Sequence, residues 1–164
     1  MNKEILKEVN IIRNMMGLVN ETKYKISKDE RIVLSDTENF LQVLPLTKTA
    51  SCKYGSNTKW CVTGDDNKNR FESYKNKGWD VSMIMIKNPE IVSYFDTGKF
   101  AFNIYNQYLE IHNDKNRGFV NDLEKMSKEL GIEYEVKSLV DDYIKFMREN
   151  RGLGDVKNIP FKDL

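Results

Sequence analysis

Sulfur, imidazole and proline are scarce in this chain of 164 residues, which carries two cysteines, one histidine and three prolines. Two cysteines are too few for the disulfide scaffolding of a small secreted protein, and they agree with a reducing compartment in which Cys52 and Cys61 stay as thiols. With a single histidine they supply at most three of the four ligands that a zinc site takes, so no metal is expected, and no motif implies a cofactor. Charge of one sign is lacking too. Lys+Arg number 26 against 25 Asp+Glu, a formal net charge of +1. No global field therefore draws the molecule to nucleic acid or to anionic lipid, and any polyanion site has to be local. No apolar run approaches the ~20 residues that a membrane-spanning helix needs, and Met1 to Gly17 alternates charged with apolar residues, unlike the core of a signal peptide. A cytoplasmic location without a membrane partner is the expectation.

What is present is periodicity. Ile5, Val9, Ile12 and Met16 recur at spacings of four, three and four, which predicts an amphipathic helix ended by Gly17. The polar linker from Asn20 to Lys28 leaves that leader, residues 1–19, either docked or detachable, with its apolar stripe available to a partner. Arg31 to Leu34 and Asn39 to Leu44 read as short strands, although the second also suits a helix capped by Asp36 and stopped before Pro45. Thr47 can cap a short helix carrying Ala50 and Tyr54, with Gly55 in the left-handed position that ends it and an extended Thr58 to Val62 beyond. Asp65 or Asp66 can cap a further helix bearing Phe71 and Tyr74. The β-rich segments Trp79 to Lys87, Ile91 to Phe95, Lys99 to Tyr105 and Tyr108 to Asn113 suggest an antiparallel meander. Helices are expected at Phe119 to Leu130 and Val136 to Glu149. These elements predict an α+β fold, an antiparallel β-meander packed by N-terminal and C-terminal helices, with the helices on one face of the sheet. One domain at 20–149 would then be followed by a mobile tail, 150–164.

Candidate chemistry concentrates between Pro45 and Cys61. Cys61 is a possible nucleophile if the meander brings His112 within reach, with Asn113 or Asp114 orienting the imidazole; the structural alternative is a buried cysteine beside a core tryptophan. The turn Gly55-Ser56-Asn57-Thr58-Lys59, with Lys53 and Arg70 near in sequence, has residues that can gather backbone N–H groups around an anion. A tight turn that needs Gly55 for its backbone angle explains the same residues. Trp79, Tyr94, Phe95, Phe100, Phe102, Tyr105 and Tyr108 would stack nucleic-acid bases if they stood on one exposed face, but Phe100 and Phe102 alternate as core residues do.

The run Cys52-Lys-Tyr54-Gly55-Ser-Asn-Thr58-Lys-Trp60-Cys61, followed by Phe71 and Tyr74 and then strands, resembles a family of small uncharacterised proteins of tailed bacteriophages that share a K-Y-G-x-x-T-x-W-C box. The resemblance covers roughly Pro45 to His112, and Glu4 to Gly17 is similar to an amphipathic leader found on phage proteins. It implies a viral accessory protein acting by binding in the host cytoplasm, as a minor virion or packaged component or as a host-interaction or anti-defence protein. The alternatives are a cysteine-dependent hydrolase or transferase using Cys61 and His112, and a nucleic-acid-binding protein.

Overall fold

The computed structural model describes residues 30–58, 60–64, 68–95, 98–112, 120–162 and 164. The leader with Ile5, Val9, Ile12 and Met16 lies outside the described residues, as do Lys59, Asp65, Asp66, Asn113 and Asp114. The described strands are β1 (Arg31–Asp36), β2 (Phe40–Pro45), β3 (Ser82–Ile86), β4 (Lys99–Tyr105) and β5 (Tyr108–His112). Five helices accompany them: α1 (Lys48–Tyr54), α2 (Phe71–Asn76), α3 (Pro89–Val92), α4 (Val120–Leu130) and α5 (Glu133–Arg151). All strand pairs are antiparallel, in the order β1-β2-β3-β4-β5. The architecture is thus an α+β meander, and β2 is a strand rather than the helix its sequence also allows.

Helices cover both faces of this sheet, not one. Side chains alternate along each strand, so the registers sort them into two sets. The first set holds Phe40, Leu44, Ile84, Ile86, Phe100, Phe102 and Ile104, packed with Leu123 and Met126 of α4 and with Val136, Leu139, Tyr143 and Met147 of α5. The second holds Leu41, Val43, Met83 and Met85, packed with Ala50 and Tyr54 of α1, Val62, and Phe71 of α2. Every residue of β2 and of β3 is buried in consequence. Each large apolar side chain buried this way contributes about 1.5–3 kcal/mol.

Ile91 to Phe95, expected as a strand, begins instead as the short helix α3. Asn88 caps it by accepting from the Glu90 N–H at 3.0 Å, and Pro89 occupies the first helical position, where its missing N–H costs nothing. Ile91 and Phe95 still enter the core, with Phe95 stacked on Phe100 at a centroid distance of 5.1 Å.

The C-terminal tail, expected to be mobile, is fastened along β5. Lys157 N–H donates to Gln107 O at 2.7 Å, and Asn158 exchanges hydrogen bonds with the Leu109 backbone through its side-chain amide at 3.0 and 2.9 Å. Phe161 is buried, and its N–H donates to Glu124 Oε1 at 2.8 Å. Further back, Arg151 clamps α5 to the buried Asp80 carboxylate, with contacts of 2.6 and 3.1 Å.

Phe102→Ala should lower the unfolding free energy by about 3–5 kcal/mol in urea titration, because it empties a site with no exposure at all on the first face. A loss below about 1 kcal/mol would contradict this placement of the core.

Candidate functional site

Thr47 starts α1 by accepting the Ala50 N–H at 3.1 Å, and Ala50 and Tyr54 turn one face of the helix toward the sheet. Gly55 ends it, but at φ −91, outside the left-handed region. The reason for glycine here is closeness of approach: a Cβ on Gly55 would lie 2.0 Å from Thr63 Cγ2. Segment 60–64 turns back against α1 and is not the extended strand expected. Thr63 donates to Trp60 O from both its N–H, at 3.1 Å, and its hydroxyl, at 2.9 Å, and this closes the turn. Ser51 Oγ donates to Val62 O at 2.6 Å, Thr58 Oγ1 to Gly55 O at 2.6 Å, and the Thr58 and Thr63 hydroxyls are 3.0 Å apart. Glycine, threonine and tryptophan of the box therefore join a helix end to a reversed loop.

Both cysteines are free thiols. Cys61 Sγ lies 3.3 Å from the Tyr74 hydroxyl, whereas His112 Nε2 faces Glu110 Oε2 at 3.2 Å. The sequence-derived pair thus has separate partners among the described residues, and a phenol takes no proton from a thiol near neutrality. Buried Cys52 lies 3.4 Å from Asn69 Nδ2 and 3.5 Å from Gly64 O. The described part of the predicted anion turn, Gly55 to Thr58, also spends N–H groups on its own backbone. The N–H groups of Gly55, Ser56 and Thr58 donate to Ser51 O, Lys53 O and Gly55 O, at 2.9, 3.3 and 3.1 Å. Lys53 is buried and Arg70 exposed, so the two do not share a surface.

The turn receives a lysine amine instead. Lys99 of β4, only 1% exposed, places Nζ 2.8 Å from Ser56 O and 3.2 Å from Ser56 Oγ. Burial alone pushes its pKa down from the ordinary 10.5 to about 7. The signal for it lay in the alternation of β4, where Lys99, Ala101 and Asn103 share the face opposite Phe100 and Phe102. Asn103 on that face is 4% exposed and its Oδ1 has no hydrogen-bond partner among the described residues.

The aromatic set divides. Phe95, Phe100 and Phe102 are core, while Tyr105 and Tyr108 stand 43% and 49% exposed at the β4–β5 turn. Trp79 packs edge-on against Tyr105 at 4.8 Å and against Tyr74 at 5.5 Å. Lys77 Nζ lies 4.7 Å from the Trp79 ring centroid, and Lys157 Nζ 5.3 Å from that of Tyr108. A separate open hollow of about 540 Å³, lined by Lys137, Val156, Pro160 and Phe161 among others, shares no residue with the box. Among the described residues no cluster of acidic, cysteine or histidine side chains is suited to hold a metal, and no helix is long and apolar enough to cross a membrane. Compared with protein-family models, curated proteins and solved structures, the chain has no match.

Two outcomes follow from this geometry. Gly55→Ala should cost about 1–3 kcal/mol by overpacking, and less in a Thr63→Ser background, which keeps the hydroxyl and removes the obstructing methyl. Equal costs in both backgrounds would count against the close-approach account. Lys99 binds its proton more weakly folded than unfolded, so between about pH 7 and 10.5 the unfolded chain holds the extra proton and stability rises with pH. Denaturation of wild type and Lys99→Met across that window should show this added slope in the wild type only.

Proposed function

We propose that this chain is a phage-encoded accessory protein that acts by binding, as a minor virion or packaged component or as an agent against a host protein or host defence. The observation that supports binding most is the aromatic strip at the β4–β5 turn, where Tyr105 and Tyr108 expose nearly half their surface beside Trp79. Rigid aromatic side chains with a polar end are what protein interfaces use as anchors. The phage origin rests on the likeness of the box alone. The leader with Ile5, Val9, Ile12 and Met16 is a second docking element in this reading, an apolar stripe laid in a partner's groove.

Nucleic acid is the second reading, supported by the lysines that sit over Trp79 and Tyr108 in the same strip. Cysteine-dependent catalysis is not favoured, since Cys61 is bonded to Tyr74 rather than to His112.

Tyr105→Ala/Tyr108→Ala should keep the fold, as both side chains are solvent-facing, and weaken capture of the partner from phage-infected cells at least about tenfold. Removing Met1 to Gly17 separates the leader's share from the strip's. Capture unchanged by both alterations would end the assignment of these surfaces. Retardation of single-stranded nucleic acid that falls steeply with salt, and is lost with the two tyrosines, would move the assignment to the second reading.

A further inference from the structure

The geometry points to a serine–lysine pair, Ser56 and Lys99, in which the buried amine of β4 acts as base for a serine nucleophile that accepts acyl groups from small activated esters or amides. This activity goes beyond binding and does not depend on it. Because position 56 is open in the K-Y-G-x-x-T-x-W-C pattern, the assignment concerns this chain and not the proteins it resembles.

Three observations carry it. Lys99 Nζ stands 2.8 Å from Ser56 O and 3.2 Å from Ser56 Oγ, so one N–H can donate to the carbonyl while the lone pair of the neutral amine receives the hydroxyl proton. The amine is 1% exposed and its hydrogen-bond partners are both neutral atoms of one residue, an arrangement that favours the uncharged form a base requires. Ser56 itself is partly exposed and sits at the end of α1, within reach of a small substrate. A lysine that merely capped the helix end would need the carbonyl contact alone, and it would do so from the surface, where its charge stays hydrated. The titratable side chains on the flanking elements are Lys48, Cys52, Lys53 and Tyr54 of α1 and Tyr108, Glu110 and His112 of β5, where Glu110 is paired with His112; burial is the sole cause of the weakened proton affinity of Lys99.

In the first half-reaction Ser56 Oγ bonds to the acyl carbon while its proton passes to Lys99 Nζ. The tetrahedral intermediate then collapses, breaking the bond to the leaving group, which departs with that proton. In the second half-reaction water attacks the Ser56 ester with Lys99 again taking the proton, and the acid leaves as Ser56 Oγ recovers its hydrogen.

Treatment of the full chain with a fluorophosphonate probe, followed by peptide mass spectrometry, tests this. Ser56 should carry the adduct, and the labelling rate should climb with pH to a plateau, with a midpoint near 7 as Lys99 loses its proton. Ser56→Ala should abolish the adduct while leaving partner capture intact, and Lys99→Met and Lys99→Arg should slow it at least about 100-fold. Circular dichroism establishes that each variant is folded; if the Lys99 variants are not, the wild-type pH profile and Ser56→Ala decide. A folded wild type that yields no Ser56 adduct, a rate indifferent to pH, or full labelling of folded Lys99→Met would each overturn the pair. A lowered melting temperature in Lys99→Met with no adduct in the wild type would make Lys99 a capping residue only, and the binding function would stand unaffected.

Discussion

The middle strands of the meander have no solvent-facing side, and the rest of the molecule follows from covering them. Phe40–Pro45 and Ser82–Ile86 are buried along their whole length, so a cover on only one face would leave Leu41, Val43, Met83 and Met85 in water. At about 25 cal/mol per Å² of apolar area, that exposure would weigh heavily against a net stability of a few kcal/mol. The C-terminal pair α4 and α5 covers the first face. The second falls to the long connection between β2 and β3, which contains the box.

This division gives the box its physical meaning. A connection that must return to the neighbouring strand can cover the sheet only if it folds on itself, and Gly55, Thr58, Trp60 and Thr63 make that fold by close approach and short hydroxyl bonds. The concentration of cysteine, tryptophan and glycine, which in isolation suggests a nucleophile's surroundings, is thus also what a tight lid needs. Lys99 stands apart from that economy. A strand residue facing a lid would ordinarily be apolar, and a buried amine without a carboxylate is costly unless it is neutral for part of the time. Asn103, four residues further along β4 on the same face, leaves a side-chain carbonyl oxygen unmatched among the described residues and adds to the polar character of that face. Tyr105 and Tyr108 lie beyond it, exposed at the turn into β5.

Legibility differed by element, for identifiable reasons. The helices α4 and α5 announce themselves through a 3.6-residue stripe, and β4 through the alternation of Phe100, Phe102 and Ile104. Ile91 to Phe95 has strand composition, yet Asn88 and Pro89 before it form a helix start whose capping bond outweighs β propensity over so short a run. The same two residues read equally well as a turn when taken alone. The tail carries little apolar mass, and its attachment depends on Asn158 meeting the backbone of Leu109 and on Phe161 filling a gap beside α4. Neither partner is near in the chain.

Local pattern by itself determined the α+β class, the strands β3 to β5, the C-terminal helices, the cap at Thr47 and the burial of Phe100 and Phe102, because each rests on periodicity or on contacts within about four residues. Tertiary structure alone decided that helices cover both faces, that Gly55 is required by Thr63 rather than by its own φ, that Cys61 meets Tyr74 and not His112, and that Lys99 reaches Ser56. Each of those is a contact between segments distant in sequence or a choice between two allowed conformations. Which side chain ends beside which depends on how the layers stack, and that is a property of the packed whole.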